Sequence, residues 1–150
     1  MRQTIQLYAA PLVRLAMAYV KNQADAEDIV QEVFVTRWRK PPVLKDGAQE
    51  RAWLTRVTIN RCKDHLRACR RRQTVPLTDD LSALPSEDSD LLHALWALDI
   101  KYRLPLYLFY FDDYTIAEIA ALLRAKPSTV GTWLQRGREL LKNELGDDPV

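Results

Sequence analysis

Glycine is scarce in this chain, four in 150 residues, and no glycine-rich phosphate loop occurs. β-Branched residues never gather into alternating runs, so helix formers dominate. No window reaches the roughly 18 apolar residues that a membrane span needs. Gln3, Thr4 and Gln6 interrupt the N-terminus where a signal peptide would be apolar. The expectation is a soluble, cytoplasmic protein without membrane insertion. Two cysteines make no disulfide framework. Cys62 and Cys69 fall on one predicted helix, roughly 10.5 Å apart at about 1.5 Å per residue, and a disulfide wants less than about 7 Å. His65 between them invites a zinc reading, but ligands spread over two turns of one helix cannot close a tetrahedron. Reduced cysteines on the inner side of that helix, and no metal, are expected. His65 and His93 are the only histidines and lie far apart. With no nucleophile elbow and no metal-ligand spacing, neither an enzyme nor a cofactor is expected.

Charge of one sign is missing from whole stretches. Thr78 to Asp99 holds six acids (Asp79, Asp80, Glu87, Asp88, Asp90, Asp99) and no Lys or Arg. Arg51 to Arg72 holds eight basic residues (Arg51, Arg56, Arg61, Lys63, Arg67, Arg70, Arg71, Arg72) against Asp64 alone. The formal net charge of +2 hides this segregation. A block able to neutralise phosphates beside a block that avoids them points to nucleic acid.

Helical spacing predicts a first helix over Gln3 to Val20, kinked or split at Pro11. Lys21 to Ala24 is a polar break. Asp25 is the expected N-cap of a second helix reaching Arg39, with Asp28 placed three residues later as in a capping box. Pro41 and Pro42 end it. Val43 to Gln49 is read as a loop, and a third helix spans Glu50 to Arg72. Gln73 to Asp88, rich in Pro, Ser and acids, reads as a flexible linker with a short turn near Leu81 to Leu84. Extended, it reaches at most ~50 Å, more than a DNA turn of roughly 34–36 Å.

Ser89 to Leu98 and Lys101 to Phe111 are the next helical segments. The second is aromatic-rich and reads as a central support rather than a cofactor pocket. Pro105 should cost about 3 kcal/mol inside a helix, so that helix is expected to start near Arg103 or Leu104. Thr115 and Glu118 form a T-x-x-E capping box, with Ile116, Ile119, Ala120 and Leu123 as the buried stripe. After a tight turn comes a last helix capped by Ser128 or Thr129, burying Val130, Leu134 and Leu141. It is read as carrying Arg136 and Arg138 on a face not needed for packing. This is how a helix-turn-helix presents a recognition helix.

Four ordered blocks carry a resemblance: DAEDIVQEVFVTRW (Asp25 to Trp38), AWLTRVTINRCKDHLR (Ala52 to Arg67), KYRLPLYLFYFDDYTIAEIAALL (Lys101 to Leu123) and STVGTWLQRGRELL (Ser128 to Leu141). Together they resemble a bacterial RNA polymerase sigma factor of the extracytoplasmic-function group, over nearly the whole chain. The resemblance implies an all-α fold of two small helical domains. Residues 1–72 would be a sigma-2-like three-helix bundle, 73–88 an acidic linker, and 89–150 a sigma-4-like helix-turn-helix domain. It implies a promoter-specificity subunit serving stress- or signal-responsive promoters. The partners it implies are core RNA polymerase (the clamp helices of the largest subunit and the beta subunit flap), promoter DNA and an anti-sigma factor.

Residue by residue, Asp28, Gln31 and Glu32 match the family's clamp-docking face. Lys45, Trp53, Asn60, Arg61, Lys63 and Arg67 match the part that recognises and opens the minus-ten element. Trp53 serves there either in packing or in stacking on unpaired bases, and the loop from Lys45 to Gln49 sits where a flipped base is held. Ser128, Thr129, Thr132, Gln135, Arg136 and Arg138 match the reader of the minus-thirty-five box. The chain departs from the family at Gly131 and Trp133, where basic residues are common, at Gly137, where Ala is usual, and at Arg124, where the turn usually has Gly. Those departures imply an unusual promoter preference or a weaker hold on DNA at this end. An ordinary helix-turn-helix regulator is the rival reading, but it needs neither a D-x-x-Q-E face nor a basic third helix beside a tryptophan.

Overall fold

The computed structural model describes the backbone of residues 2–72 and 86–145, and the side chains of residues 2–72 and 90–144. All regular elements among them are helices. The chain divides into two compact units, Met1–Ser82 and Ala83–Val150. Most of the expected linker, including the turn near Leu81, lies outside the described residues.

In the first unit, α1 (Arg2–Val20), α2 (Gln23–Arg39) and α3 (Gly47–Arg71) pack pairwise into a bundle. Pro11 does not split the helix: α1 runs through it. Every residue from Leu15 to Val20 is buried, because α2 and α3 enclose that end of α1. The break to α2 is shorter than expected. Lys21 takes φ 61°, its N–H bonding Met17 O at 3.0 Å, and Asn22 is already the cap. Asn22 Oδ1 accepts from Asp25 N–H at 2.8 Å. Asp25 is therefore a first-turn carboxylate and not the N-cap, because the left-handed Lys21 delivers Asn22 in the extended geometry a cap needs.

Helix α3 likewise starts early. Asp46 Oδ1 accepts from Gln49 N–H, and Gln49 Oε1 accepts from Lys45 N–H, both at 2.9 Å. This exchange satisfies free donors in the manner of a capping box, so Gly47 to Gln49 form the first turn of α3 and not a loop. Cys62 and Cys69 are buried and unbonded to each other, on the inner side as expected.

The second unit comprises α4 (Ser86–Trp96), α5 (Ile100–Tyr110), α6 (Ile116–Leu123) and α7 (Pro127–Leu145). Helix α4 begins at Ser86, inside the stretch expected to be linker. Helix α5 begins at Ile100, so Pro105 sits in its interior, beyond the expected start. Asp99 fixes that start, its Oδ1 accepting from Ile100 N–H at 2.8 Å. Burial of Leu104, Leu106, Tyr107 and Leu108 offsets the hydrogen bond Pro105 cannot make. Arg103, only 6% exposed, donates to the carbonyls of Trp96 and Leu98 at 3.3 and 3.2 Å, closing the end of α4.

The Thr115–Glu118 capping box forms as expected: Thr115 Oγ1 accepts from Glu118 N–H at 3.1 Å, and Glu118 Oε1 accepts from Thr115 N–H at 2.9 Å. The stripe it opens is Ile119, Ala120 and Leu122, whereas Ile116, the first residue after the cap, stays 36% exposed at the rim. Arg124 takes the left-handed conformation, φ 54° and ψ 46°. Helix α7 begins at Pro127, a residue suited to the first helical position. Ser128 and Thr129 are thus in the first turn, and it is Lys126 O that accepts from Val130 N–H at 3.1 Å. Helix α7 packs on α4, α5 and α6. Gly137 permits its approach to α5, because a Cβ there would lie 2.8 Å from Leu106 Cδ1. Among the described residues no helix is long and apolar enough to cross a membrane.

Candidate functional site

Three surfaces gather the expected residues. On α2, Asp28, Gln31 and Glu32 are all exposed. Helical spacing puts Val35 and Trp38 on the same stripe, 44% and 69% exposed. Trp38 is left out of the buried side of α2, which consists of Ala26, Ile29, Val30, Val33 and Phe34. The outer stripe is thus acidic at one end and apolar at the other. Beside it runs an open groove of about 440 Å³ lined by Asp28, Gln31, Glu32, Val35, Thr36, Arg39 and Arg61.

On α3, Trp53 is half-buried, Asn60 and Arg67 are exposed, and Lys63 is half-buried. At about 100° per residue these four share one arc of the helix, together with exposed Arg56. Arg56 is missing from the expected set, although its position four residues before Asn60 was signal enough. Arg67 also pairs with Asp64 at 3.9 Å. Lys45 is exposed just ahead of the Asp46 cap.

Arg61 is not brought together with that arc. It turns toward α2, where Nη1 lies 3.4 Å from Glu32 Oε2 and Nη2 donates to Thr36 Oγ1 at 2.8 Å. The pair is largely solvated, so its contribution is about 0–1 kcal/mol. A second link between the two helices joins His65 Nε2 to Asp25 Oδ2 at 3.2 Å, with Cys69 Sγ 3.6 Å from the same nitrogen. Burial pushes the Cys62 thiol up to about 12, which keeps it protonated and unreactive. Among the described residues no group of three or more His, Cys, Asp or Glu side chains is placed to hold a metal ion.

On α7, Ser128, Thr132, Gln135 and Arg136 are exposed and Thr129 is half-buried. Arg136 and Arg138 do not share a face: two residues on a helix are about 200° apart. Arg138 turns back onto α5, its Nε donating to Tyr110 OH at 2.6 Å, with its guanidinium carbon 5.9 Å from the Phe109 ring centre. Arg136 alone projects with the polar residues of the outer face.

The geometry is therefore that of two helical units, the first with a cationic face on α3 and an acidic stripe on α2, the second with Arg136 among polar residues on the outer face of α7. Sigma-70 region 2 matches residues 4–72 and Sigma-70, region 4 matches residues 88–141. The ECF RNA polymerase sigma factor SigL of Mycobacterium tuberculosis is 32% identical, over 97% of this chain and 90% of its own length. The chain belongs to the ECF group of the sigma-70 family.

As a sigma factor of this group it serves promoter recognition by RNA polymerase and is not an enzyme. It is also similar to SigE of Mycolicibacterium smegmatis, at 31% identity over 95% of this chain, and spans 60% of that relative's length. Its fold is that of the sigma factor RpoE solved in complex with the anti-sigma factor NepR from Bartonella quintana. That likeness has a TM-score of 0.82 at 22% identity and covers 96% of this chain and 95% of the other.

Proposed function

We propose that this sigma factor docks on core polymerase through Asp28, Gln31 and Glu32 of α2, holds the minus-ten element with α3, and reads the minus-thirty-five box with α7. The observation that carries this reading is the exposed stripe of α2: acceptors at i, i+3 and i+4 with no packing duty, of which Glu32 must exchange its solvated pair with Arg61 for a basic partner. Residues 1–72 then form the docking and melting domain, and 89–150 the duplex-reading domain, which also meets the beta subunit flap. Between them, the stretch ahead of α4, residues 73–85, acts as a tether. Asn60 can offer a donor and an acceptor to a base edge, while Arg56, Lys63 and Arg67 hold the strand backbone. Trp53, half-buried on the same arc, is positioned to stack on an unpaired base. Lys45 adds charge at the start of that helix. Arg61 joins the set only by leaving Glu32. Arg136 is the guanine reader, with Ser128, Thr129, Thr132 and Gln135 around it, and Arg138 braces α7 against α5.

The promoters served are a signal-responsive set in the cytoplasm. An anti-sigma factor, of the kind that holds the similar RpoE, covers these faces until the signal arrives. The experiment is charge reversal at Asp28 and Glu32, followed by titration of labelled sigma factor with core polymerase. The double variant should lose at least about tenfold in affinity, or roughly 1.4 kcal/mol, with helical content unchanged. Unchanged affinity would defeat the docking assignment.

A further inference from the structure

Two cations at the turn of the helix-turn-helix are used by none of the roles above. Arg124 ends α6 with φ 54° and ψ 46°, and the N–H groups of Arg124 and Ala125 both return to Ala120 O. Such a C-cap needs the left-handed region, which glycine enters freely and a residue with a Cβ enters only against steric resistance. Packing does not ask for arginine here: the side chain is exposed and joins no ion pair among the described residues. Lys126, two residues on, is exposed as well and supplies the carbonyl that opens α7. The two cations therefore stand at the entrance of the recognition helix. The first two turns of that helix carry none: Pro127, Ser128, Thr129, Val130, Gly131, Thr132, Trp133, Leu134 and Gln135 precede Arg136. At Gly131 an added Cβ would meet nothing within 4 Å, so close packing does not require glycine there.

We propose that Arg124 and Lys126 form a phosphate clamp that grips the DNA backbone at the lip of the groove entered by α7. The inference rests on α7 being the duplex-reading helix. In a helix-turn-helix the start of the second helix meets base edges while the first helix crosses the backbone. The turn joining them consequently faces phosphate. Arg124 offers a planar fork to two phosphate oxygens and Lys126 a point charge. Backbone contacts of this kind fix position and affinity and leave base preference alone. Strain concentrated at a functional position is what the left-handed Arg124 represents: glycine would relax the turn and remove the guanidinium.

The test compares the wild-type full chain with Arg124→Gly, Arg124→Lys and Arg136→Ala. Each is titrated against a fluorescein-labelled duplex carrying a promoter selected with the wild-type holoenzyme. Stability and affinity should move in opposite directions for Arg124→Gly: a higher melting temperature, but a log K against log salt slope shallower by about 0.9, one phosphate contact. Its affinity deficit then shrinks about 3.5-fold between roughly 50 and 200 mM salt, the consequence of that slope. Base preference stays as in the wild type, and Arg124→Lys keeps most of the slope. A stabilised Arg124→Gly with the wild-type slope, while Arg136→Ala still alters base preference, overturns the clamp and leaves the recognition helix standing. Failure of the wild type to bind the duplex, or an Arg136→Ala variant with unaltered preference, overturns the recognition-helix reading and the clamp with it.

Discussion

Two glycines on α7 should respond differently to one substitution. Replacing a helix-interior glycine by alanine gains about 1 kcal/mol from backbone propensity. At Gly131 an added Cβ meets no heavy atom within 4 Å, so Gly131→Ala keeps the whole gain, a rise of ~4–8 °C for a unit of this size. At Gly137 the same methyl would stand 2.8 Å from Leu106 Cδ1, 3.2 Å from Leu106 Cγ and 3.4 Å from Tyr102 Cβ. Leu106 is 1% exposed and cannot swing aside without displacing its neighbours. Overpacking of this kind costs about 1–3 kcal/mol, so Gly137→Ala should range from neutral to about 2 kcal/mol destabilising after the propensity gain. The assay is urea unfolding of the full chain with Trp38 and Trp53 replaced by phenylalanine. Fluorescence then reports only buried Trp96 and half-buried Trp133 of the second unit. Equal stabilisation by both alanines would refute the close approach of α5 and α7.

The other expectations concern binding and pH. Arg136→Ala should weaken duplex binding by about 1–3 kcal/mol and relax one base preference, measured by competition with single-base variants of the duplex. Arg138→Ala should leave that preference unchanged and lower the melting temperature of the second unit, because it removes the bond to Tyr110. Burial lifts the Cys62 thiol from 9.0 to about 12. The folded unit therefore keeps its proton where the unfolded chain begins to lose it. The resulting stability is full below about pH 9 and disappears as pH rises toward 12, a slope that urea titrations should show and Cys62→Ala should flatten. Iodoacetamide at neutral pH should label Cys62 only on unfolding, and rapid labelling of the native chain would contradict its burial.

What could be read from sequence was set by short-range chemistry. The Thr115–Glu118 capping box was legible, since a few adjacent residues determine it. Asn22 was missed in favour of Asp25 because two good caps stand three residues apart, and only the fold of Lys21 chooses between them. The early start of α3 was written as D-x-x-Q at Asp46 to Gln49 but lay hidden behind Gly47, which suggested a loop. Pro105 misled by its local cost, which tertiary burial outweighs. At the candidate sites, composition could single out the cations only as a class. It could not say that Arg61 would turn to Glu32 and Arg138 to Tyr110, because a long side chain chooses its partner across helices. Simple helical geometry already excluded a shared face for Arg136 and Arg138.

On the proposed function, α2 grips the polymerase while α3 and α7 bring it to a promoter. Run-off transcription with core polymerase on a randomised promoter library, with wild-type chain or with the Asp28 and Glu32 reversal variant, tests this most directly. Transcripts from promoters sharing two common blocks are expected in the presence of the wild type, and none above the core background with the variant. Wild-type transcription without an enriched promoter pair, or undiminished transcription by the variant, would contradict it.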